Sequence, residues 1–395
     1  MKMIFSILTS LAVSLMVSCR QDGPKPVPHW VDPVDTIRLS SQLYEPEKAR
    51  TGIAFPSDMV LVYGGGHHRT PFAWDRERIA TYVTYTDKTG SAHWLFDGFL
   101  LLEFMDPAVN GGPGKTLVTG YKYNGAYMPS ANKEDWQHLV DYYFSPGSGV
   151  DAIDAAVAGA EVKSGAPKER RKIVIGIPEP IVDLYSATHS GGKTYWGSLD
   201  GRKLDFSSDR DRILACKWYI DEVRRQFYSK KYRNVELAGF YWVAETSAHT
   251  ESILGALGKY LNQLKYSFNW IPYFKATGYS RWKEFGFNIA YLQPNYFFNA
   301  SVPKSRLEEA CDLAMQFGMD MELEFDDNAM TRHGRAYKLR DYMEVFKAKG
   351  VWASSRLAYY QGGWTLFNLQ HSADEQDQAL YHAFCNFVTA RPLRH

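Results

Sequence analysis

The feature that most constrains this chain is an alternation of short apolar runs with amphipathic stretches, repeated eight times after residue 55. Apolar runs bounded by turn residues are typical of buried strands, whereas apolar residues recurring every three or four positions indicate helices. Eight strand-then-helix units predict an α/β fold, a (β/α)8 barrel of the TIM type, over residues 55–395. The predicted strands cover 59–65, 95–104, 172–180, 235–245, 268–274, 287–295, 319–326 and 351–360.

A helix pattern follows each predicted strand. The predicted helices begin near 75, 133, 208, 249, 280, 303, 335 and 373. A doubly wound open sheet is the main alternative architecture, and it more often has a Gly-rich phosphate turn after its first strand. The stretch YGGGHHR at 63–69 lacks the GxGxxG spacing of such a turn, which favours the barrel.

The first nineteen residues have the pattern of a secretory signal, with Lys2 followed by an apolar stretch too short to span a bilayer. Residues 15–19, LMVSC, resemble the lipobox of bacterial lipoproteins, in which the chain is cut before the cysteine and its sulfur is lipidated. The resemblance implies a lipid on Cys19, a location in the bacterial cell envelope and membrane contact through this anchor only. A plain cleaved signal is the alternative. Residues 20–54 are predicted to be a Pro-rich tether and lead-in.

The charge balance and the cysteines exclude several classes of protein. With 45 basic and 44 acidic side chains the net charge is +1, so nucleic acid is not an expected partner. No HExxH or CxxC spacing occurs, and neither a metal nor another cofactor is expected. Cys216, Cys311 and Cys385 lie in helical patterns and are predicted to be buried free thiols.

One predicted strand carries acids on one face and apolar side chains on the other. In GMDMELEFDDN, residues 318–328, an acid stands at every second position: Asp320, Glu322, Glu324 and Asp326. Alternate residues of a barrel strand point inward, and the others pack against the outer helices. The apolar set suits the helices, so the acids are predicted to point inward, where a charge is costly unless it is paired or used. We expect Glu322 to form a structural ion pair with Arg356, and Glu324 or Asp326 to reach the barrel mouth.

A second carboxylate for the same mouth comes from strand four. The buried run GFYWVAE, residues 239–245, ends in Glu245 at the carboxyl edge, where barrel enzymes have their active sites. Two carboxylates at such a mouth indicate cleavage of a glycosidic bond, in which one acid protonates the leaving oxygen and the other attacks or activates water. Glu103 and Glu179 also end predicted strands and are alternative members of the pair.

Further side chains are predicted to contact a carbohydrate at the mouth. The long connections 105–131, 181–206 and 361–372 are rich in aromatic residues, and long loops of this kind are usually functional. An aromatic face can stack on the apolar side of a pyranose ring. The predicted substrate contacts are His67, His68, Tyr241, Gln293, Asn295, Asp326, Trp196 and Trp364. The two histidines could alternatively form half of a metal site.

Two resemblances extend this interpretation. Glutamates ending strands four and seven resemble the clan of retaining barrel glycosidases, which implies Glu245 as acid/base and Glu324 as nucleophile. That clan usually has Asn before the strand-four glutamate, where this chain has Ala244. The YGGGHH, GFYWVAE and ELEFDD stretches resemble bacterial lipoproteins with a domain of unknown function of the DUF 4855 type, frequent in gut Bacteroidetes. This second resemblance implies a glycan-degrading setting, with neighbouring glycan-utilisation proteins as partners.

The leading hypothesis is therefore a lipid-anchored glycoside hydrolase that acts on a polysaccharide or oligosaccharide with retention of configuration. A non-catalytic glycan-binding lipoprotein on the same scaffold is the alternative, and Ala244 favours it. A lyase or deacetylase acting on acidic or acetylated sugars is a third hypothesis.

Overall fold

Eight parallel strands close into a barrel in the computed structural model, which describes residues 50–63, 74–106, 114–123, 125–182 and 195–394. Each predicted apolar run overlaps one barrel strand, and strands that are neighbours in chain order pair with each other, the last with the first. The predicted α/β barrel of the TIM type is confirmed. The strands are β1 Asp58–Tyr63, β2 Gly98–Leu102, β3 Arg171–Ile177, β4 Val235–Trp242, β5 Ser267–Trp270, β6 Ile289–Leu292, β7 Asp320–Glu324 and β8 Leu357–Tyr360.

Helices occupy the connections between the barrel strands. They are α1 Arg76–Val83, α2 Lys133–Tyr143, α3 Gly149–Ser164, α4 Asp209–Lys230, α5 Glu251–Gln263, α6 Ser305–Phe317, α7 Ala336–Ala348, α8 Val351–Ser354, α9 Thr365–Gln370 and α10 Glu375–Thr389. None of the helices in the described ranges is long and apolar enough to cross a membrane.

Two local predictions are wrong. The helix expected near 280 is only the 3-10 turn Tyr279–Arg281, because Lys275, Gly278 and Gly286 have positive φ angles of 58°, 83° and 85°, a backbone conformation that no α-helix contains. The run 351–360 begins with α8 rather than with a strand, so β8 starts only at its seventh residue.

Three antiparallel hairpins supplement the barrel. They pair Thr84–Thr86 with Ala92–Trp94, Lys122–Tyr123 with Ala126–Tyr127, and Tyr195–Leu199 with Arg202–Asp205. The last two lie in the long connections that leave the carboxyl ends of β2 and β3.

The alternation predicted for β7 is present. Met321, Leu323 and Phe325 are fully buried in the core between barrel and helices. The opposite face points into the barrel, since Glu322 pairs in register with Ala358 of β8, an interior residue. The three cysteines are buried free thiols, as predicted.

A buried ion pair lies at the amino-terminal end of the barrel, its floor, on the side of β1 that faces the helices. Arg391, just after α10, lies 3.1 Å from the Oδ1 atom of Asp58 in β1, and both side chains are 0% exposed. The hydroxyl of Tyr359 donates to the same oxygen at 2.6 Å. This contact joins the last helix to the first strand.

Candidate active site

Three glutamates converge at the carboxyl end of β4 and β7. Glu245 lies three residues beyond β4, while Glu322 and Glu324 belong to β7 and are 1% and 2% exposed. The charge of Glu245 raises the pKa of both Glu322 and Glu324, which shows that the three carboxyl groups share one region. The inward direction predicted for the β7 acids therefore brings them to the strand-four acid.

Glu324 has the richest hydrogen bonding of the three. The hydroxyl of Tyr342, from α7, donates to its Oε2 atom at 2.6 Å. Burial raises the pKa of Glu324 to about 7, while hydrogen bonds from Tyr342 and from the backbone of Asn295 and Tyr296 lower it. Donors of this kind favour the ionised carboxylate. Tyr342 was not predicted, since no local pattern shows that a helix residue reaches under a strand end.

The polar residues predicted after β6 link the two acids. The side-chain amide of Gln293 donates to Oε1 of Glu245 at 2.9 Å, and that of Asn295 donates to Oε1 of Gln293 at 3.2 Å. Asn295 has a φ angle of 49°, and its side chain accepts a hydrogen bond from the backbone of Phe274 at 3.0 Å. Asn295 thus fixes Gln293 against one acid and presents its own backbone to the other.

Glu245 is half-buried, and desolvation of its carboxyl group raises its pKa, which the hydrogen bond from Gln293 lowers only in part. Among the described residues Glu245 has this one amide donor, whereas Glu324 has a hydroxyl and two backbone groups. The two carboxyl groups therefore sit in unequal environments, as acid–base chemistry between two glutamates requires.

The predicted ion pair between Glu322 and Arg356 is wrong. In the barrel register Met321 lies opposite Leu357, so Arg356 is level with Asp320, one layer below Glu322. The backbone N–H of Arg356 donates to Oδ1 of Asp320 at 2.8 Å. Oε1 of Glu322 has no hydrogen-bond partner among the described residues.

Two predicted substrate contacts have structural roles in the described residues. Asp326 caps the short 3-10 helix Asp327–Ala329, accepting hydrogen bonds from the backbone and the side chain of Asn328, both at 2.8 Å. Tyr241 is 1% exposed inside the barrel, where it interacts with Glu245 and Glu322. Tyr241 thus contacts the acids from below rather than solvent.

The two predicted tryptophan platforms differ. Trp196 is 2% exposed and packs edge to face on Trp136 with ring centroids 5.1 Å apart, so its predicted stacking on a sugar is wrong. Its hairpin folds back on α2 instead of opening over the mouth. Trp364 is half-buried with the Arg78 guanidinium 4.1 Å from its ring centroid, a cation–π contact that covers one face. His67, His68 and Cys19 lie outside the described residues.

The alternative acids are placed differently. Glu179 is buried after β3, and its Oε2 atom accepts a hydrogen bond from the backbone of Thr119 at 2.6 Å. Burial raises the pKa of Glu179, and the charges of His249 and Arg212 oppose that shift. Glu103 is buried after β2. Neither acid is among the groups that perturb Glu245 or Glu324.

An aromatic arc borders the acids and was not predicted as a unit. It comprises Tyr121, Phe104, Tyr63, Tyr360 and Phe298, with successive ring centroids 5.8, 5.3, 6.5 and 5.6 Å apart. Tyr360 pairs in register with Glu324, and Phe298 is 40% exposed. The sequence feature that could have predicted this arc is an aromatic residue at or just after the ends of strands one, two and eight.

One group within the described ranges has metal-like spacing. Ligand atoms of Asp106, Asp135 and His138 lie within 4.8 Å of one another. Asp135 is already bound by Lys115 at 2.8 Å, and it accepts a hydrogen bond at 2.7 Å from the backbone of Asn132, the N-cap of α2, with which it forms a capping box. This group is explained by helix capping.

The chain belongs to the family defined by a domain of unknown function, DUF4855, which it matches over residues 58–386. No match is found among curated proteins. A protein described as a putative alpha-L-fucosidase from Bacteroides thetaiotaomicron VPI-5482 is similar in structure, with 15% identity, a TM-score of 0.41, and 86% of this chain and 98% of that chain covered.

Two further structures are similar at the same level. The tryptophan synthase A-subunit of Pyrococcus furiosus has 9% identity and a TM-score of 0.33, with 84% and 97% of the two chains covered. The pneumococcal virulence factor StrH, described with N-glycan recognition and hydrolysis, has 11% identity and a TM-score of 0.36, with 84% and 82% covered. Scores this low carry no information about substrate.

Proposed function

We propose that this protein is a retaining glycoside hydrolase in which Glu324 is the nucleophile and Glu245 the general acid/base. The observation that carries the proposal is the unequal hydrogen bonding of two interacting glutamates at the carboxyl ends of β4 and β7. Glu324 is held by Tyr342 and by two backbone donors in the manner that favours an anion. Burial raises the pKa of both acids, but Glu245 accepts from the Gln293 amide alone among the described residues, so we assign the proton to Glu245.

The two residues would act in two steps. In the first, a Glu324 oxygen forms a bond to the anomeric carbon while the glycosidic bond breaks, and the proton of Glu245 passes to the leaving oxygen. In the second, Glu245 takes a proton from water, whose oxygen attacks the same carbon and releases Glu324 as a carboxylate. Two inversions at one carbon give net retention.

The aromatic arc supports a sugar as the substrate. A pyranose ring has an apolar face that stacks on aromatic side chains. The arc begins next to Glu324 at Tyr360 and continues across the ends of β1 and β2. Phe298, at the end of the arc, offers exposed ring surface.

A glycan-binding protein without catalysis is the second candidate function. Ala244 favours it, because the clan that the acids resemble usually has Asn at this position. This candidate predicts glycan affinity without new reducing ends, and binding that survives neutralisation of either glutamate.

A panel of polysaccharides and oligosaccharides digested with the purified protein and analysed by mass spectrometry tests the proposal. We expect one glycan class to be cleaved, and ¹H NMR to show the initial product with the anomeric configuration of the substrate. Glu245→Gln and Glu324→Gln should each lose about 10³-fold or more in turnover while remaining folded. Glu308→Gln, a change at an exposed position of α6, is the matched control. Full turnover in either site variant would contradict the assignments.

We further propose that the chain is attached to the bacterial cell envelope through lipid on Cys19, and that it acts beside other glycan-utilisation proteins. The support is the lipobox-like LMVSC stretch at 15–19. Cys19→Ala should move the protein from the membrane fraction to the soluble fraction, and unchanged membrane association would contradict the anchor.

A further inference from the structure

The barrel interior holds a third carboxyl group that the proposed reaction does not use. Glu322 lies two residues before Glu324 on the inward face of β7 and is 1% exposed. Its Oε1 atom has no hydrogen-bond partner among the described residues. Ala358, its register partner in β8, has no polar side-chain atom to offer. The Oε1 end of a charged Glu322 would therefore be buried without a hydrogen bond from the described residues.

Within the part of the chain that the structure describes, the titratable groups that face Glu322 are acids and phenols. Glu324 lies on the same strand, and Glu245 faces it from the end of β4. Tyr241 of β4 and Tyr342 of α7 also interact with it. Burial raises the pKa of Glu322 well above its usual range, and the negative charges of Glu324 and Glu245 raise it further.

Glu322 and Glu324 compete to carry one negative charge. Two neighbouring carboxyl groups in a buried site do not both ionise at neutral pH, because the like charges repel. Glu324 accepts hydrogen bonds from Tyr342 and from two backbone groups, all of which favour its ionised form. Oε1 of Glu322 accepts none from the described residues. The first proton lost from the pair therefore leaves Glu324.

We propose that Glu322 is a positioning residue of the active site, whose carboxyl group keeps its proton and so confines the negative charge of β7 to Glu324. The catalytic part of this inference rests on the proposed function, in which Glu324 is the nucleophile. A neutral Glu322 leaves the anion at the mouth, one layer closer to a substrate. It also spares Glu245 a second repulsive charge.

Thermal unfolding of the full chain between about pH 4 and pH 9 tests the assignment without any substrate. A carboxyl group that is protonated in the folded state and ionised in the unfolded state lowers stability as pH rises above its usual pKa of 4.5. Glutamine cannot titrate. We therefore expect the melting temperature of Glu322→Gln minus that of the wild type to increase as the pH is raised above this value.

Glu324→Gln is the matched control. Its advantage over the wild type should widen only to about pH 7, where Glu324 ionises in the folded protein, and then stay constant. A Glu322→Gln advantage that does not change with pH would overturn the proposal. The proposal would also be overturned if the difference in melting temperature between Glu322→Gln and the wild type stopped increasing near neutral pH while that for Glu324→Gln continued to increase.

Activity provides a second readout once a cleavable glycan is known. The loss in kcat/KM for Glu324→Gln should exceed that for Glu322→Gln by at least about tenfold, because only Glu324 forms a bond to the substrate. Equal losses would give Glu322 a reacting role and overturn the positioning role. If the wild type cleaves no glycan, the proposed hydrolase function fails, while the pH comparison still decides where the charge resides.

Discussion

The floor and the mouth of the barrel both bury acids, but they stabilise them differently. At the floor, Asp58 meets the Arg391 guanidinium at 3.1 Å, and both side chains are inaccessible to solvent. At the mouth, the described residues hold Glu324 by hydrogen bonds, and those whose charges act on Glu322 are other acids. One end of the barrel therefore holds a neutralised pair, and the other holds acids whose pKa values are raised.

The difference separates a structural from a functional use of buried charge. An ion pair that is inaccessible on both sides holds two chain segments together, provided that neither partner is removed. Acids buried without a cation destabilise the folded protein at neutral pH, and perturbed pKa values of this kind concentrate at functional sites. The mouth is thus where this fold departs from the most stable arrangement.

The same chemical change at the two ends should have opposite effects on stability. Asp58→Asn leaves the Arg391 charge buried without its carboxylate, so we expect a loss of about 3–5 kcal/mol in the free energy of unfolding. Glu245→Gln removes an acid whose charged form burial disfavours, so we expect a gain of about 1 kcal/mol at pH 8. Urea unfolding of both variants measures the two changes. Losses of similar size in both would remove the distinction between floor and mouth.

The pH dependence of stability should reveal the mouth acids. Below about pH 4.5, Glu324 is protonated in both states and its contribution to stability is fully present. As pH rises toward about 7 the unfolded chain loses this proton while the folded chain keeps it, so stability falls by on the order of 3 kcal/mol. Urea unfolding at several pH values measures the fall, which Glu324→Gln should reduce by that amount. A variant that falls as steeply as the wild type would contradict the raised pKa.

The fold was predictable because its strands are buried on both faces. Such strands read as continuous apolar runs, as GFLLL in β2 does, and eight of them define the barrel. The absence of the helix expected near 280 was not predictable in this way. Its amphipathic pattern is overridden by positive φ at Lys275, Gly278 and Gly286, of which Lys275 carries no sequence signal for that conformation.

The site was predictable as far as alternation along a strand determines it. Inward acids in β7 follow from the period of two, and Glu245 follows from its place at a strand end. The partner of Arg356 could not be predicted from the sequence. It depends on the register between β7 and β8, which the stagger of neighbouring barrel strands sets and which no residue pattern within either strand indicates. Arg391 was missed for a related reason, since its partner Asp58 lies at the other end of the barrel sequence.

Removal of the hydroxyl that holds Glu324 should have an intermediate effect. Tyr342→Phe deletes the donor 2.6 Å from the carboxylate, and because this bond lowers the pKa of Glu324, the pKa should rise. We expect the free energy of unfolding to fall by about 1.5 kcal/mol at pH 8 and by less at pH 5. Tyr296→Phe is the matched control, because the Tyr296 hydroxyl donates to Asp341 at 2.7 Å, outside the acid cluster. Tyr296→Phe should lower the free energy of unfolding by the same amount at both pH values. If Tyr342→Phe also lowers it by the same amount at both, Glu324 is not ionised in the way proposed.

The smallest effect should come from the single donor to Glu245. Gln293→Met removes the amide 2.9 Å from its carboxylate, a hydrogen bond that lowers the pKa of Glu245. We expect the pKa of Glu245 to rise, because the hydrogen bond that favours its charged form is lost. The alkaline limb of kcat/KM reports the proton of the acid/base, so it should move to higher pH. Gln378→Met, the same change at an exposed position of α10, should leave the limb in place. A limb that does not move in Gln293→Met would assign the catalytic proton to a residue other than Glu245, and the buried Glu179 after β3 would be the first to examine.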